Sequence, residues 1–167
     1  MKTYEVERKF LMKRVPNLEF QSVLNIEQYY LPDDGEWTDR VRRVQDIKKD
    51  STEYVRTRKL KVGDLINEED EFKITEDEFN SLKNISVSLV EKVRYITNID
   101  GNKWEFDMFV NLCLILAESE FVFTGDISDL KIDKIENMEI PEVIKNDVIL
   151  ESTNIPELSN KSISILI

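Results

Sequence analysis

The sequence predicts an α+β, mainly β fold: eight antiparallel strands with a few flanking helices. Three observations carry that reading. Segments of period-two alternation recur along the chain. The connections between them are short and hold turn chemistry at Asp33-Asp34-Gly35, Lys48-Lys49-Asp50-Ser51, Gly63-Asp64 and Asp100-Gly101. Helix signatures are few. Short consecutive connections imply an antiparallel meander, and 167 residues without a Pro/Gly-rich linker, low-complexity tract or repeat fit one domain over 1–167.

Side chains i and i+2 of a strand share a side, so each face can be read separately. The first strand, 2–11, sets Glu5, Glu7 and Lys9 on one face and Val6, Arg8 and Phe10 on the other. A short helix is expected after Pro16, followed by a second strand at 25–31. The third, 37–46, sets Arg40 and Arg42 opposite Val41. The fourth, 52–61, is ambiguous: Arg56 and Arg58 share one face, and Thr57, Lys59 and Lys61 the other. The fifth, 66–74, offers Glu69 and Glu71 against Asp70 and Phe72. A helix begins at Thr75, where Thr75 and Glu78 match a capping box and Phe79 and Leu82 give an apolar stripe. The sixth strand, 87–98, sets Lys92 and Arg94 opposite Val93 and Tyr95. Asp100-Gly101 accepts the positive φ angles of a type I′ turn. It leads into the seventh strand, 102–110, with Glu105 and Asp107 against Trp104, Phe106 and Met108. The eighth, 112–123, offers Glu118 and Glu120 against Ala117, Ser119 and Phe121. Past 124 the stretches 126–135, 141–145 and 160–166 read as short helical pieces covering the outside of a sheet. Tyr4, Phe10, Tyr29, Phe72, Tyr95, Phe106 and Phe121 are expected as core beneath such helices.

Composition narrows the chemistry. Charged residues reach 34%, against about a quarter in ordinary domains. The absence of histidine eliminates Ser-His-Asp and Cys-His nucleophile systems and imidazole-held zinc, so any metal must be bound by oxygen. A net charge of -11 disfavours nucleic acid and anionic membranes as partners. The lone Cys113 lies in the apolar stretch 112–116 and is expected as a packed thiol, which fits a reducing compartment. The N-terminus carries no apolar signal core, and the longest apolar run, 108–117, is too short to span a bilayer. The expected setting is the cytoplasm, with no membrane partner.

The charged faces admit two readings. They could line the wet side of an ordinary antiparallel sheet. Yet whole strands carry one sign, where a solvated face would intersperse them. Eight strands can also close into a barrel with no exposed edge, and the charged face would then line a tunnel. That interior would hold Lys9, Arg40, Arg42, Lys59, Lys92 and Arg94 with Glu5, Glu7, Glu69, Glu71, Glu105, Asp107, Glu118 and Glu120. Enclosed like charges require counterions, because an unpaired buried ion costs several kcal/mol. Carboxylates without His or Cys companions suit Mg²⁺ or Mn²⁺, and clustered Lys and Arg suit phosphate oxygens. A polyphosphate with a divalent cation satisfies both.

These residues resemble the motifs of the CYTH superfamily, the triphosphate tunnel metalloenzymes. Glu5-Val6-Glu7-Arg8-Lys9-Phe10 is similar to the family's ExExK signature. In family order follow Gln28-Tyr29-Tyr30-Leu31, Arg40-Val41-Arg42, Thr57-Arg58-Lys59, Glu69-Asp70-Glu71, Lys92-Val93-Arg94-Tyr95, Trp104-Glu105-Phe106-Asp107 and Ala117-Glu118-Ser119-Glu120. The resemblance implies a closed eight-stranded antiparallel barrel with a charged lumen that binds a triphosphate and a divalent cation. It implies Glu5, Glu7, Glu118 and Glu120 as metal ligands, with Glu71 and Asp107 near a second cation or the attacking water. Lys9, Arg40, Arg42, Lys59, Lys92 and Arg94 would hold the phosphates, which settles strand four in favour of Lys59. Glu7, Lys9 and Glu120 would carry catalysis, with Glu120 or Glu71 as proton acceptor.

The implied activity is hydrolysis of a small-molecule triphosphate, as in bacterial inorganic triphosphatases, with inorganic tripolyphosphate ahead of nucleoside or thiamine triphosphate. A class IV adenylyl cyclase and a non-catalytic phosphate binder are the alternatives. A homodimer is compatible with this reading. The sequence departs from the family in lacking glycines between strands seven and eight and the Trp and Gly often found near 140–148, while Ser159-Asn160-Lys161-Ser162 is similar to the family's closing segment.

Overall fold

The computed structural model describes residues 1–166. Its strands are β1 (Lys2–Met12), β2 (Ser22–Tyr30), β3 (Thr38–Asp46), β4 (Ser51–Lys61), β5 (Ile66–Lys73), β6 (Ser88–Ile99), β7 (Asn102–Phe109), β8 (Ile115–Gly125) and β9 (Val148–Glu151). Helices α1 (Glu76–Lys83), α2 (Asp133–Glu136), α3 (Glu142–Lys145) and α4 (Asn160–Leu166), with short 3-10 turns at Ile127–Asp129 and Pro156–Leu158, complete the described chain. All strand pairs are antiparallel, in the order β5-β4-β3-β2-β6-β7-β8-β1-β9, and β5 also pairs with β1, closing the first eight into a barrel. Eight of the nine strands were expected within a few residues of their limits.

The meander is corrected. β1 lies between β8 and β5, and β2 lies against β6, so the two longer connections, 13–21 and 74–87, cross over rather than join neighbours. Turn chemistry fixes only the local hairpins. At Asp100-Gly101 the φ angles are +53° and +80°, as a type I′ turn requires. The helix expected after Pro16 is absent. Leu18 and Phe20 pack on the barrel exterior, and the backbone there serves β6 instead: Gln21 N–H donates to the Ile96 carbonyl, and the Thr97 hydroxyl to that of Glu19.

β9 was not anticipated. β5 pairs with β1 only from Tyr4 to Val6, and β9 covers the rest of that edge from Phe10 to Met12. Between them Ser152 N–H donates to the Lys9 carbonyl, and Lys9 N–H to Thr153 Oγ1. Arg8 fastens this segment from outside by pairing with Glu151 and donating to the Ile135 and Met138 carbonyls.

The main core lies outside the barrel, where Phe10, Met12, Trp104, Phe106 and Ala117 meet Ile144 of α3. α1 starts at the expected Thr75–Glu78 capping box and packs Phe79 on Tyr29, Leu31 and Val41. Two residues break their expected roles. Phe72 is exposed, because β5 runs past its short pairing with β1 with no helix above it. Cys113 is exposed too: β8 begins only at Ile115, which leaves residue 113 in the turn. No described helix is long and apolar enough to cross a membrane.

Candidate active site

Alternation along the closed barrel turns the charged faces inward. They line a cavity of about 620 Å³ whose wall includes Glu5, Glu7, Lys9, Arg40, Arg42, Lys59, Glu69, Glu71, Arg94, Glu105, Glu118 and Glu120. The opposite parity of β4 sends Arg56 and Arg58 outward to Asp39 and Asp34, which places Lys59 in the lumen.

β1 and β8 pair with Glu7 opposite Glu120 and Lys9 opposite Glu118. This register gathers Glu5, Glu7, Glu118 and Glu120, whose carboxylate oxygens lie within 4.8 Å of one another. Burial, then Glu5 beside it, pushes the Glu7 carboxyl above its ordinary value. Burial and Glu7 do the same to Glu118. Glu120 is held well above the usual carboxylate range by burial, Glu105 and Glu5. Glu7 Oε2 is buried with no hydrogen-bond partner. Four gathered carboxylates under mutual repulsion, one with an unpartnered oxygen, fit a hard divalent cation. In the described structure lysines compensate part of that charge: Lys59 lies 2.5 Å from Glu5, and Lys9 3.2 Å from Glu7 and 3.8 Å from Glu118. Asn67 also donates to Glu7, over 3.4 Å.

On the basic wall, Arg42 donates to Glu71 over 3.0 Å, and Thr57 shares the same carboxylate oxygen. Arg40 lies two residues away and has no carboxylate within 4.0 Å among the described residues; its Nε is buried and unpartnered. Burial, then the Arg40 charge, lowers the Arg42 pKa. Arg94 binds Asp107 through two nitrogens, at 2.7 and 2.8 Å, and Glu105 at 2.8 Å.

Not every expected residue reaches the cavity. Lys92 and Asp107 pair at 2.9 Å beneath it, and Lys92 also donates to Asn160 of α4. Asp107 is apart from the carboxylate cluster, and Glu71 is occupied by Arg42 and Thr57. Burial pushes the Lys92 amine down to about 8 despite Asp107. Asp107 itself is held low in spite of burial, with Arg94 as its stronger counterion. The two directions agree physically, because Arg94 already neutralises the charge Lys92 would otherwise use. Tyr30, itself on the cavity wall, packs with Val90, Phe109 and Leu116 against Ile163 of α4.

The sequence reading missed Lys103, Asn67, Ser152 and Thr153 among the lining residues. Lys103 was findable from its i−2 spacing to Glu105. Ser152 and Thr153 had no local signal, since their place depends on β9.

No family model and no curated protein matches the chain. Solved structures do. One of the inorganic triphosphatase NE1496 is 27% identical, covering 98% of this chain and 95% of that one at a TM-score of 0.62. A second structure of NE1496 is 29% identical over 96% of this chain and 97% of that one, at a TM-score of 0.61. The PH1819 protein from Pyrococcus horikoshii OT3, 18% identical, covers 97% of each chain at a TM-score of 0.68 and shares the fold.

Proposed function

We propose that this chain, a triphosphate tunnel barrel of the CYTH superfamily by its fold, hydrolyses triphosphates in its lumen. Inorganic tripolyphosphate is the preferred substrate and Mg²⁺ or Mn²⁺ the cofactor. One observation carries the reading: an Arg40 guanidinium without a carboxylate shares an enclosed cavity with four clustered carboxylates. The likeness to the inorganic triphosphatase NE1496 over nearly the whole chain supports it.

Glu5, Glu7, Glu118 and Glu120 would hold the cation, which when bound supplies positive charge against phosphate oxygens. Phosphoryl transfer demands positioning and charge neutralisation more than covalent help. Arg40, Arg42, Lys9, Lys59 and Arg94 line the cavity as donors for phosphate oxygens, and Arg40 gives up no internal ion pair to take one. Water attacks the terminal phosphorus, and the bond to the departing pyrophosphate breaks. Glu120 takes the proton, as the one carboxylate of the cluster that is only half-buried and so within reach of water. Glu71 is less suited, with one oxygen already accepting from Arg42 and Thr57. Asp107, expected near a second cation or the attacking water, pairs with Arg94, and Lys92, expected on phosphate, pairs with Asp107.

The test is phosphate release from tripolyphosphate, ATP and thiamine triphosphate in parallel, with Mg²⁺, Mn²⁺ or chelator. Tripolyphosphate should turn over fastest, and chelator should stop it. Cyclic AMP as the product from ATP would point to a cyclase, and tight binding without turnover to a phosphate-binding module.

A further inference from the structure

Lys103 is a basic group that the phosphate- and cation-binding set above does not use. It lies near the start of β7, two residues before Glu105 and so on the same lumenal side, and faces Glu120 across the β7–β8 pair. Its amine is 2.9 Å from Glu105 Oε1 and 3.2 Å from Glu120 Oε1. Burial works against its charge, yet Glu105 and Glu120 outweigh it and hold the amine protonated.

Each clustered carboxylate therefore has a lysine: Lys59 on Glu5, Lys9 on Glu7 and Glu118, Lys103 on Glu120. Lys103 is the most open of the three, with its side chain 45% exposed against 20% for Lys59 and 22% for Lys9. A divalent cation drawn to the cluster needs the Glu120 oxygens and repels the ammonium beside them. Glu105 lies outside the cluster and remains available as an anchor. The flexible four-carbon stem allows the amine to turn from Glu120 into the cavity.

We propose that Lys103 is a displaceable counter-cation, which holds Glu120 in the cation-free tunnel, leaves it when the divalent ion binds, and then contacts the substrate's phosphate. This rests on the tunnel reading above. The test titrates Mn²⁺ directly into the full chain, without substrate and at one fixed, mildly alkaline pH, comparing wild type, Lys103→Met, Lys103→Arg and Glu7→Ala. Lys103→Met should bind Mn²⁺ about tenfold more tightly, because a partly screened positive charge has been removed. Lys103→Arg, which keeps the charge, should stay with wild type. At saturating Mn²⁺ the KM for tripolyphosphate should rise severalfold in Lys103→Met, with kcat changed less. Unchanged or weaker Mn²⁺ binding in Lys103→Met, or an unchanged KM, overturns the role of Lys103 alone. Wild type that takes up no Mn²⁺, or Glu7→Ala that binds it as well as wild type, overturns the tunnel reading and this inference with it.

Discussion

Arg40 and Arg42 sit two residues apart on one strand and occupy different electrostatic settings, one without a carboxylate partner and one tied to Glu71. Arg40→Ala should therefore raise the KM for tripolyphosphate by at least about tenfold, equivalent to about 1.4 kcal/mol, and Arg40→Lys should recover part of it. Steady-state kinetics with an unchanged KM would remove Arg40 from the phosphate site. Glu7→Ala and Glu120→Ala should each abolish cation-dependent phosphate release, and unchanged turnover in both would end the mechanism. Lys92 yields a pH signature. Its amine is depressed from 10.5 to about 8 in the fold, so between those values the unfolded chain holds a proton that the native one lacks. Wild type should gain stability relative to Lys92→Met as pH rises through that window, as read by urea unfolding. A flat difference would mean that Lys92 is not desolvated as its burial implies.

Elements differ in how locally they are encoded. α1 is written within four residues, because Thr75 and Glu78 satisfy each other's backbone N–H groups. Thr75→Ala should cost about 1 kcal/mol in chemical denaturation. β9 has no such signature: Val148-Ile149-Leu150-Glu151 does not alternate, and it is a strand only because β5 leaves half of β1 without a partner. The segment after Pro16 shows the same dependence, since its backbone groups are claimed by β6. Cys113 was misplaced because an apolar run reads alike as strand or turn, and the Phe109 N–H to Leu114 carbonyl bond ends the strand before it.

At the scale of the whole molecule, barrel closure decides whether charge is an ordinary surface or a binding site. Enclosed carboxylates repel in the absence of a cation, so a bound cation should stabilise the folded barrel. Mn²⁺ at one hundred times its dissociation constant should contribute about 2.7 kcal/mol, seen as a rise in Tm. Glu7→Ala should lose that rise, and an equal rise in the variant would place the cation elsewhere.

Period-two alternation and turn residues determined the eight barrel strands, the residues sharing each face and, through the absence of histidine, the oxygen-only chemistry of any cation site. They could do so because backbone geometry fixes side-chain direction within a strand, whatever the neighbours. Which face turned inward, which strands became neighbours, and how Lys92 and Asp107 came to pair beneath the cavity were decided only by the tertiary structure. Those outcomes depend on contacts between residues far apart in the chain, such as β1 with β5 and α4 with β6, and no local pattern records them.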